Sequence, residues 1–353
     1  MFFRKIYLSI ITLTLLFTAC TPAQQQSAPE VLTIMTHDSF AVSESLIAKF
    51  ENENNVKLSF IKSGDTGAAL NRAILLQLKG SAPADVFYGV DNTFLSRALE
   101  NDIFEPYDAT LLAQIPASFK LDPLNRAIPI DYGDVCINYD KAYFADKGLP
   151  VPQTLEALTE PAYAGLLAVE NPATSSPGLA FLLATIAHFG EEAYLDYWQQ
   201  LVDNQVVVVA DWETAYYTNF SASSGRGPQP MVVSYASSPP AELIFAEQPL
   251  EEAPTASIIG PQTCFRQIEF VGILKGTPHR ALAEKFIDFM LDTAFQEDLP
   301  LQMFVFPVNP LAQLPQEFIQ AAQIPSQPAT IDPTLIAEKR DIWIQAWTEL
   351  VLQ

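Results

Sequence analysis

Apolar and polar positions along residues 31–100 alternate in a way that predicts strands and helices in turn. Three short apolar runs have the character of buried strands, and the segments between them carry apolar residues at helical spacing. The strands are Val31–Thr36, Val56–Ile61 and Asp85–Gly89, and the helices run through Leu46–Phe50 and Leu70–Leu78. A βαβαβ order is typical of a parallel sheet with helices packed on its faces.

The same alternation continues through the rest of the chain and ends in a long amphipathic helix. The further predicted strands are Val206–Val209, Met231–Tyr235 and Phe265–Leu274, and the further predicted helices are Leu179–Phe189, Glu191–Leu201, Trp212–Phe220, His279–Asp292 and Pro333–Leu352. Pro333 falls in the first turn of the last helix, where a backbone N–H would have no partner within the helix, so proline is tolerated there. We therefore expect an α/β protein.

The first thirty residues have the composition of a secretory signal followed by a tether. Two basic residues, at positions 4 and 5, precede an apolar run over residues 6–17, which is shorter than the roughly 20 residues that span a bilayer. Small residues then lead to Cys20 as in a bacterial lipobox, which predicts that Cys20 is lipidated; an ordinary signal with an incidental cysteine is the alternative. Residues 21–29 are too polar to pack. We expect a body tethered by its lipid in the periplasm or at the cell surface.

The charge of the chain limits its partners. The sequence holds 19 basic and 41 acidic residues, and removal of a signal at 1–19 takes two of the basic ones away, so the net charge falls from −22 to about −24. Such a surface repels phosphate backbones, which argues against nucleic acid as a partner and agrees with a cationic small ligand. The roughly 320 residues beyond the tether exceed what a single core usually holds, so we expect two lobes.

The three cysteines are Cys20, Cys136 and Cys264. With Cys20 lipidated, an even pair remains in an oxidising compartment, which makes a disulfide between Cys136 and Cys264 plausible. Two free buried thiols are the alternative.

Common catalytic motifs do not occur in this sequence. It has no G-x-S-x-G elbow, no Walker phosphate loop and no H-E-x-x-H pair. Of the three histidines, His188 falls in an apolar helix and His279 at a helix start, and no nucleophile is evident beside His37. We expect no enzymatic activity, no cofactor and no bound metal.

Short polar clusters follow several of the predicted strands. They cover residues 36–40, 64–67, 89–92, 131–133, 171–178, 211–212 and 234–239. In open α/β sheets the ligand crevice lies outside the carboxyl ends of the strands. Acids, hydroxyls and aromatics gathered there suit a polar small molecule held between two lobes. For any one cluster the alternative is local, since Asp38–Ser39 or Thr174–Ser176 can simply cap the helix that follows.

These clusters resemble the thiamine-binding component of bacterial ABC importers. The matching stretches run in order over nearly the whole exported chain: Leu32–Phe40, Leu70–Arg72, Ala84–Val86, Gly89–Asn92, Pro129–Gly133, Pro172–Gly178, Trp212–Tyr216, Val233–Pro239 and Phe306–Val308. The resemblance implies the two-lobed periplasmic-binding-protein fold of the second type, with a mixed, mainly parallel sheet in each lobe and the ligand cleft between lobes. It also implies thiamine or a thiamine phosphate as ligand, a cognate ABC permease and ATPase, and no catalysis. We further expect a monomer.

The resemblance assigns roles to particular residues. It implies a ring of the family at His37, an acidic contact at Asp65, phosphate-side hydroxyls at Thr174 and Ser175, and ring-binding aromatics at Trp212, Tyr235 and Phe304. Tyr216, Asp38, Asp91 and Asp131 complete the candidate set. His37 replaces an expected tyrosine, and Ala241 stands where the family can offer another ring. The cationic thiazolium of thiamine favours aromatic faces and carboxylates, and its aminopyrimidine offers a flat ring for stacking.

The expected division of the chain follows from this fold. Residues 1–19 form the signal, 20–30 the tether, 31–132 and 265–315 the first lobe, 133–264 the second lobe, and 316–353 a C-terminal helical segment.

Two other functions stay open at this point. A ferric-iron carrier of the same fold is suggested by the adjacent Tyr216 and Tyr217, although neighbours on a helix point about 100° apart. A secreted hydrolase is the other alternative.

Overall fold

The computed structural model describes residues 29–222, 226–246 and 248–352. The predicted signal at 1–19, the predicted lipidation site Cys20 and nearly all of the tether lie outside the described residues. Within the described part, no helix combines the length and apolarity that crossing a bilayer requires.

Strands and helices alternate along the described residues. The strands are Glu30–Thr36 (β1), Val56–Lys62 (β2), Val86–Asp91 (β3), Phe104–Glu105 (β4), Ile128–Asp140 (β5), Leu167–Glu170 (β6), Val207–Val209 (β7), Met231–Tyr235 (β8), Thr255–Ile258 (β9), Phe265–Leu274 (β10) and Phe306–Pro307 (β11). The α-helices are Glu44–Asn54 (α1), Thr66–Leu78 (α2), Leu95–Glu100 (α3), Lys141–Lys147 (α4), Ser176–Phe189 (α5), Tyr194–Asp203 (α6), Pro239–Ile244 (α7), Arg280–Leu291 (α8), Thr293–Gln302 (α9), Gln316–Ala321 (α10) and Pro333–Val351 (α11). Residues Thr214–Asn219 form a π-helix.

Several helices begin at an aspartate that caps the first turn. Asp65 accepts a hydrogen bond from the first backbone N–H of α2, and Asp140 accepts from two N–H groups of α4. Asp292 and Asp332 do the same for α9 and α11. A side-chain oxygen at this position satisfies an N–H that has no partner within the helix, which fixes where each helix starts.

The sheet has a parallel part at each end and two antiparallel strands in the middle. Its order is β2-β1-β3-β10-β5-β8-β6-β7. Strand β1 runs parallel to β2 and β3, and β6 runs parallel to β7 and β8. The first part of β5 pairs with β10 and its last part with β8, so β5 crosses from one lobe to the other.

The parallel β1, β2 and β3 confirm the βαβαβ prediction, but two other predictions need correction. Residues 131–133 lie inside the long strand β5 rather than beyond a strand end. Pro129 and Gly133 within this segment hide its strand character, because both residues are unfavourable in strand interiors. The helix expected at Trp212–Phe220 is the shorter π-helical segment instead.

Helix α11 joins the two lobes on the outside of the molecule. Its Trp347 packs edge-on against Trp198 of α6, with ring centroids 5.4 Å apart. Its Arg340 is buried, donates a 2.8 Å hydrogen bond to Ser96 Oγ of α3 and lies over the ring of Phe94. One continuous apolar core therefore runs through both lobes and beneath this helix.

Cys136 of β5 and Cys264, just before β10, are joined by a disulfide. Both residues are buried and are separated by 128 positions in sequence. The bond lies beside the pairing of Val135 with Phe265, where the two middle strands run together.

Candidate ligand-binding site

A cavity of about 310 Å³ lies between the two lobes. One wall comes from the loop after β1, the start of α2 and strand β10, and the other from the π-helical segment, β8 and α7. Its lining combines several aromatic rings with a few acidic groups, a composition typical of small-molecule sites. Seven of the predicted site residues line it, namely His37, Asp38, Asp65, Trp212, Tyr216, Tyr235 and Phe304.

The aromatic wall is organised around Trp212. Its ring stacks on Tyr216, with centroids 5.1 Å apart and planes 20° apart. Its indole N–H donates a 2.9 Å hydrogen bond to Ser234 Oγ, and the Tyr235 hydroxyl donates to Gln267 at 2.6 Å. These bonds fix the ring orientations, so the wall presents preorganised faces to a ligand.

Phe304 reaches the cavity from a strained position on the chain. Its φ is 56°, in the left-handed region that non-glycine residues seldom adopt. Its ring packs edge-on against Phe245, with centroids 5.6 Å apart. The surrounding contacts hold this conformation and place the Phe304 ring in the lining of the cavity.

Asp65 combines a structural and an electrostatic role. Its carboxylate caps α2 by accepting from Thr66 N–H at 2.8 Å, and it accepts from the backbone N–H of Trp212 at 3.3 Å. Burial raises the pKa of Asp65, while the nearby Ser175 hydroxyl and these N–H groups oppose the shift. The result is a half-buried acidic group against the aromatic wall.

His37 is held under the cavity by close packing. Its ring lies 5.6 Å from that of Tyr88, and a Cβ on Gly89 would come within 2.4 Å of its Cδ2. Gly89 also has a φ of +106°, so only glycine fits there without strain. Burial lowers the pKa of His37, which keeps its imidazole neutral near pH 7. Asp38 accepts from Gly64 N–H at 2.8 Å and fixes the neighbouring loops.

Glu269 is a lining residue that sequence reasoning missed. It is buried in β10, and its Oε2 lies 2.9 Å from the hydroxyl of Tyr88. Burial, with repulsion from Asp91, raises the pKa of Glu269 to about 8. The sequence signal that could have identified it is the single acidic residue in the otherwise largely apolar run Phe265–Leu274. Acidic side chains are almost never fully buried unless they are paired, so an acid in a buried strand points to a specific role.

Four predicted residues lie outside the lining of the cavity. Asp131 is buried beneath it, 2.5 Å from the hydroxyl of Tyr88. Asp91 bonds to Ser176 Oγ, and burial raises the pKa of Asp91. The Thr174 hydroxyl donates to the carbonyl of Ala210 at 2.6 Å, and Ser175 is fully buried. The start of α5 reaches the cavity through Ser176 and Pro177 instead.

The two adjacent tyrosines are poorly arranged for holding ferric iron. The Tyr216 hydroxyl is buried and donates to Glu242 at 2.9 Å, and the Tyr217 ring is edge-on to it. Burial raises the pKa of both tyrosines, which opposes the tyrosinate form that iron would need. Among the described residues, no cluster of three histidine, cysteine or acidic side chains could hold a metal.

Comparison with known proteins places the chain in a class. Residues 81–329 match the family of bacterial extracellular solute-binding proteins, and the chain belongs to that family. The thiamine-binding periplasmic protein of Brucella suis is 31% identical over 349 residues, covering 96% of this chain and 97% of the relative. The protein of the same description from Escherichia coli is 29% identical over 330 residues, covering 92% and 94%.

Solved structures confirm the two-lobed periplasmic-binding-protein fold of the second type. A periplasmic thiamin binding protein superposes with a TM-score of 0.80 and 27% identity over 92% of this chain and 96% of its own. A ferric binding protein from Campylobacter jejuni superposes at 0.71 with 20% identity, over 90% and 99%, which shows the fold alone. The descriptions of these relatives speak of binding rather than catalysis.

Proposed function

We propose that this protein is an extracytoplasmic solute-binding protein that captures thiamine or a thiamine phosphate for import. The observation that carries the proposal is that one cavity is lined by the aromatic rings of Trp212, Tyr216 and Tyr235 and by the acids Asp65 and Glu269. A flat organic cation in such a cavity can contact both aromatic faces and acidic groups. The relatives described as thiamine-binding proteins support the same ligand.

The chemistry of the walls favours thiamine over a metal cargo. A desolvated cation over an aromatic face gains about 2 kcal/mol, and Trp is the best such ring. The neutral His37 adds no competing positive charge. Ser176, at the start of the 14-residue helix α5, and Lys62 also line the cavity, so a phosphorylated tail would find N–H groups and a cation there.

Calorimetric titration of the purified protein tests the ligand. We expect one thiamine per protein, with quenching of tryptophan fluorescence because Trp212 lines the cavity. Thiamine monophosphate in competition shows which vitamer binds more tightly, and ferric citrate tests the iron alternative. Absence of binding by both thiamine and its phosphates would contradict the proposed function.

We also propose that the mature protein is a monomer in the periplasm or at the cell surface, anchored by lipid on Cys20, that delivers its ligand to a cognate ABC permease and ATPase. This proposal is based on the basic residues and the apolar run that precede Cys20. Replacing Cys20 by Ser should move the protein from the membrane to the soluble fraction. An unchanged membrane fraction would contradict the proposed lipid anchor and would leave the proposed ligand unaffected.

A further inference from the structure

The hydroxyl of Tyr88 lies between two buried carboxyl groups at the floor of the cavity. Its oxygen is 2.5 Å from Asp131 Oδ2 and 2.9 Å from Glu269 Oε2. All three side chains are at least nine-tenths buried. Only Glu269 of the three also lines the cavity. We call these residues the Asp131–Tyr88–Glu269 cluster.

A count of hydrogens shows that the cluster holds an extra proton. A phenol has one O–H, so Tyr88 can donate to only one of the two carboxyl groups. The second close contact becomes a hydrogen bond only if that carboxyl carries a proton and donates it to the Tyr88 oxygen. If both carboxyls were ionised, one carboxylate oxygen would face a lone pair of the Tyr88 oxygen at hydrogen-bond distance in a buried place, which is strongly unfavourable. At least one carboxyl is therefore protonated in the empty site.

The groups around Glu269 reinforce this protonation. Its Oε1 lies 3.6 Å from Nε2 of His37, whose burial lowers the pKa of the imidazole and keeps it uncharged. The other titratable groups that act on Glu269 or feel its charge are Tyr88 on β3, Asp91 at the end of β3, Asp131 on β5, Asp65 at the start of α2 and Tyr235 on β8. Within the described chain, no lysine or arginine forms an ion pair with Glu269. Its pKa of about 8 agrees with the hydrogen count.

Resting on the proposed function, we propose that thiamine binding releases a proton from the Asp131–Tyr88–Glu269 cluster, and that Glu269 is thereby the residue that selects a cation. The carboxyl O–H of Glu269 breaks, its proton goes to solvent, and the electron pair stays on the carboxylate. The permanent positive charge of the thiazolium then takes the place of the proton, so the charge inside the closed cavity is unchanged. A neutral ligand of the same shape would leave the proton where it is.

Two measurable consequences follow. Because a proton is released, thiamine affinity should rise with pH by up to about tenfold per pH unit and level off above pH about 8. The affinity of a neutral isostere, with an uncharged thiophene in place of the thiazolium, should not depend on pH in this range. Wild-type protein should therefore prefer thiamine over this isostere less strongly at pH about 7 than at pH about 9.

The test is calorimetric titration of the whole protein with thiamine in two buffers of different ionisation enthalpy, near pH 7 and near pH 9. The difference in heat between buffers gives the protons released per ligand bound. We expect close to one proton near pH 7 and a value near zero near pH 9. Glu269→Gln should bind thiamine more weakly and release no proton at either pH. Glu53→Gln makes the same substitution on the exposed face of α1 and should behave as wild type.

The outcomes separate this inference from the proposed function. Wild-type protein that binds thiamine without releasing a proton would overturn the inference and leave thiamine binding intact. Protein that does not bind thiamine would contradict the proposed function. The protonation of Glu269 can then still be tested in the ligand-free protein. The difference between the infrared spectra of ligand-free wild type and Glu269→Gln near pH 7 should contain one protonated-carboxyl band that the wild type has and the variant lacks. Absence of that band would overturn the inference whatever the ligand.

Discussion

The backbone N–H of Trp212 donates a hydrogen bond of 3.3 Å to the carboxylate of Asp65, across the cleft between the lobes. A second bond, from Gly67 N–H to the carbonyl of Thr174 at 3.1 Å, also joins the start of α2 to the opposite lobe. The two lobes are therefore in direct contact beside the cavity. Both bonds are made at the start of α2. Asp65 therefore places an acidic group in the site and also helps to hold the two lobes together.

Replacing Trp212 by Ala should weaken thiamine binding by about thirtyfold or more. The loss of a desolvated cation–π contact is worth about 2 kcal/mol, and every 1.4 kcal/mol is tenfold in the dissociation constant. Trp212→Phe keeps a ring but loses the hydrogen bond to Ser234. Its affinity for thiamine should lie between those of wild type and Trp212→Ala. Calorimetry measures the affinities, and circular dichroism checks that both variants stay folded. Wild-type affinity for Trp212→Ala would place the ligand elsewhere.

Asp65 can be tested with two replacements that separate charge from capping. Asn keeps an oxygen that caps α2, so Asp65→Asn should retain stability while thiamine binding falls at least tenfold. Asp65→Ala also loses the cap and should cost about 1 kcal/mol of unfolding free energy in addition. Urea unfolding and calorimetry report the two effects separately. If Asp65→Asn binds thiamine as tightly as wild type, the carboxylate charge plays no part in recognition.

Local sequence signals were enough to predict most elements of residues 31–100 and several of the loops that line the cavity. The spacing of apolar residues in 31–100 specifies β1, α2 and β3, because each element buries one face or both. Asp65 and Trp212 stand directly beyond predicted strands, where a parallel sheet has its ligand edge. Pattern and topology agree at these residues, so they could be placed before the structure was known.

Other features depend on tertiary contacts that no local pattern shows. Glu269 looks like one polar residue in a strand, and its importance comes from Tyr88 and Asp131, which are 181 and 138 positions away in the sequence. Thr174 and Ser175 were predicted to be ligand hydroxyls, but the Thr174 hydroxyl donates to the carbonyl of Ala210 and the fully buried Ser175 lies outside the cavity lining. Whether a hydroxyl faces a ligand or its own fold is decided by packing.

The disulfide between Cys136 and Cys264 should form in exported protein and raise its stability. It closes a loop of 128 residues, which on the chain-entropy model is worth up to about 4–5 kcal/mol, although measured gains often fall short. Non-reducing peptide mapping should recover the linked peptides. Replacing both cysteines by Ala should lower the urea midpoint while thiamine binding persists, since neither residue lines the cavity. Two alkylatable thiols in protein made under oxidising conditions would contradict this prediction.

The ligand-free protein should lose stability as the pH rises from about 4.5 to about 8, in part because of Glu269. Its pKa is raised in the folded state from 4.5 to about 8, so over this window the folded state holds a proton that the unfolded state has released. Stability falls with pH wherever the folded state binds more protons, here by up to about 1.4 kcal/mol per pH unit for this group. Asp65, Asp91 and Asp131, whose pKa values burial also raises, add to the same slope.

The contribution of Glu269 is isolated by comparing variants. Glu269→Gln cannot release a proton, so its unfolding free energy in urea should fall less steeply with pH than that of wild type. The two curves should separate progressively up to pH about 8 and run parallel above it. Glu53→Gln, on the exposed face of α1, should follow the wild-type curve throughout. Equal slopes for wild type and Glu269→Gln would show that Glu269 is ionised in the ligand-free protein and would contradict this prediction, because the proton that the contacts with Tyr88 require would then be on Asp131.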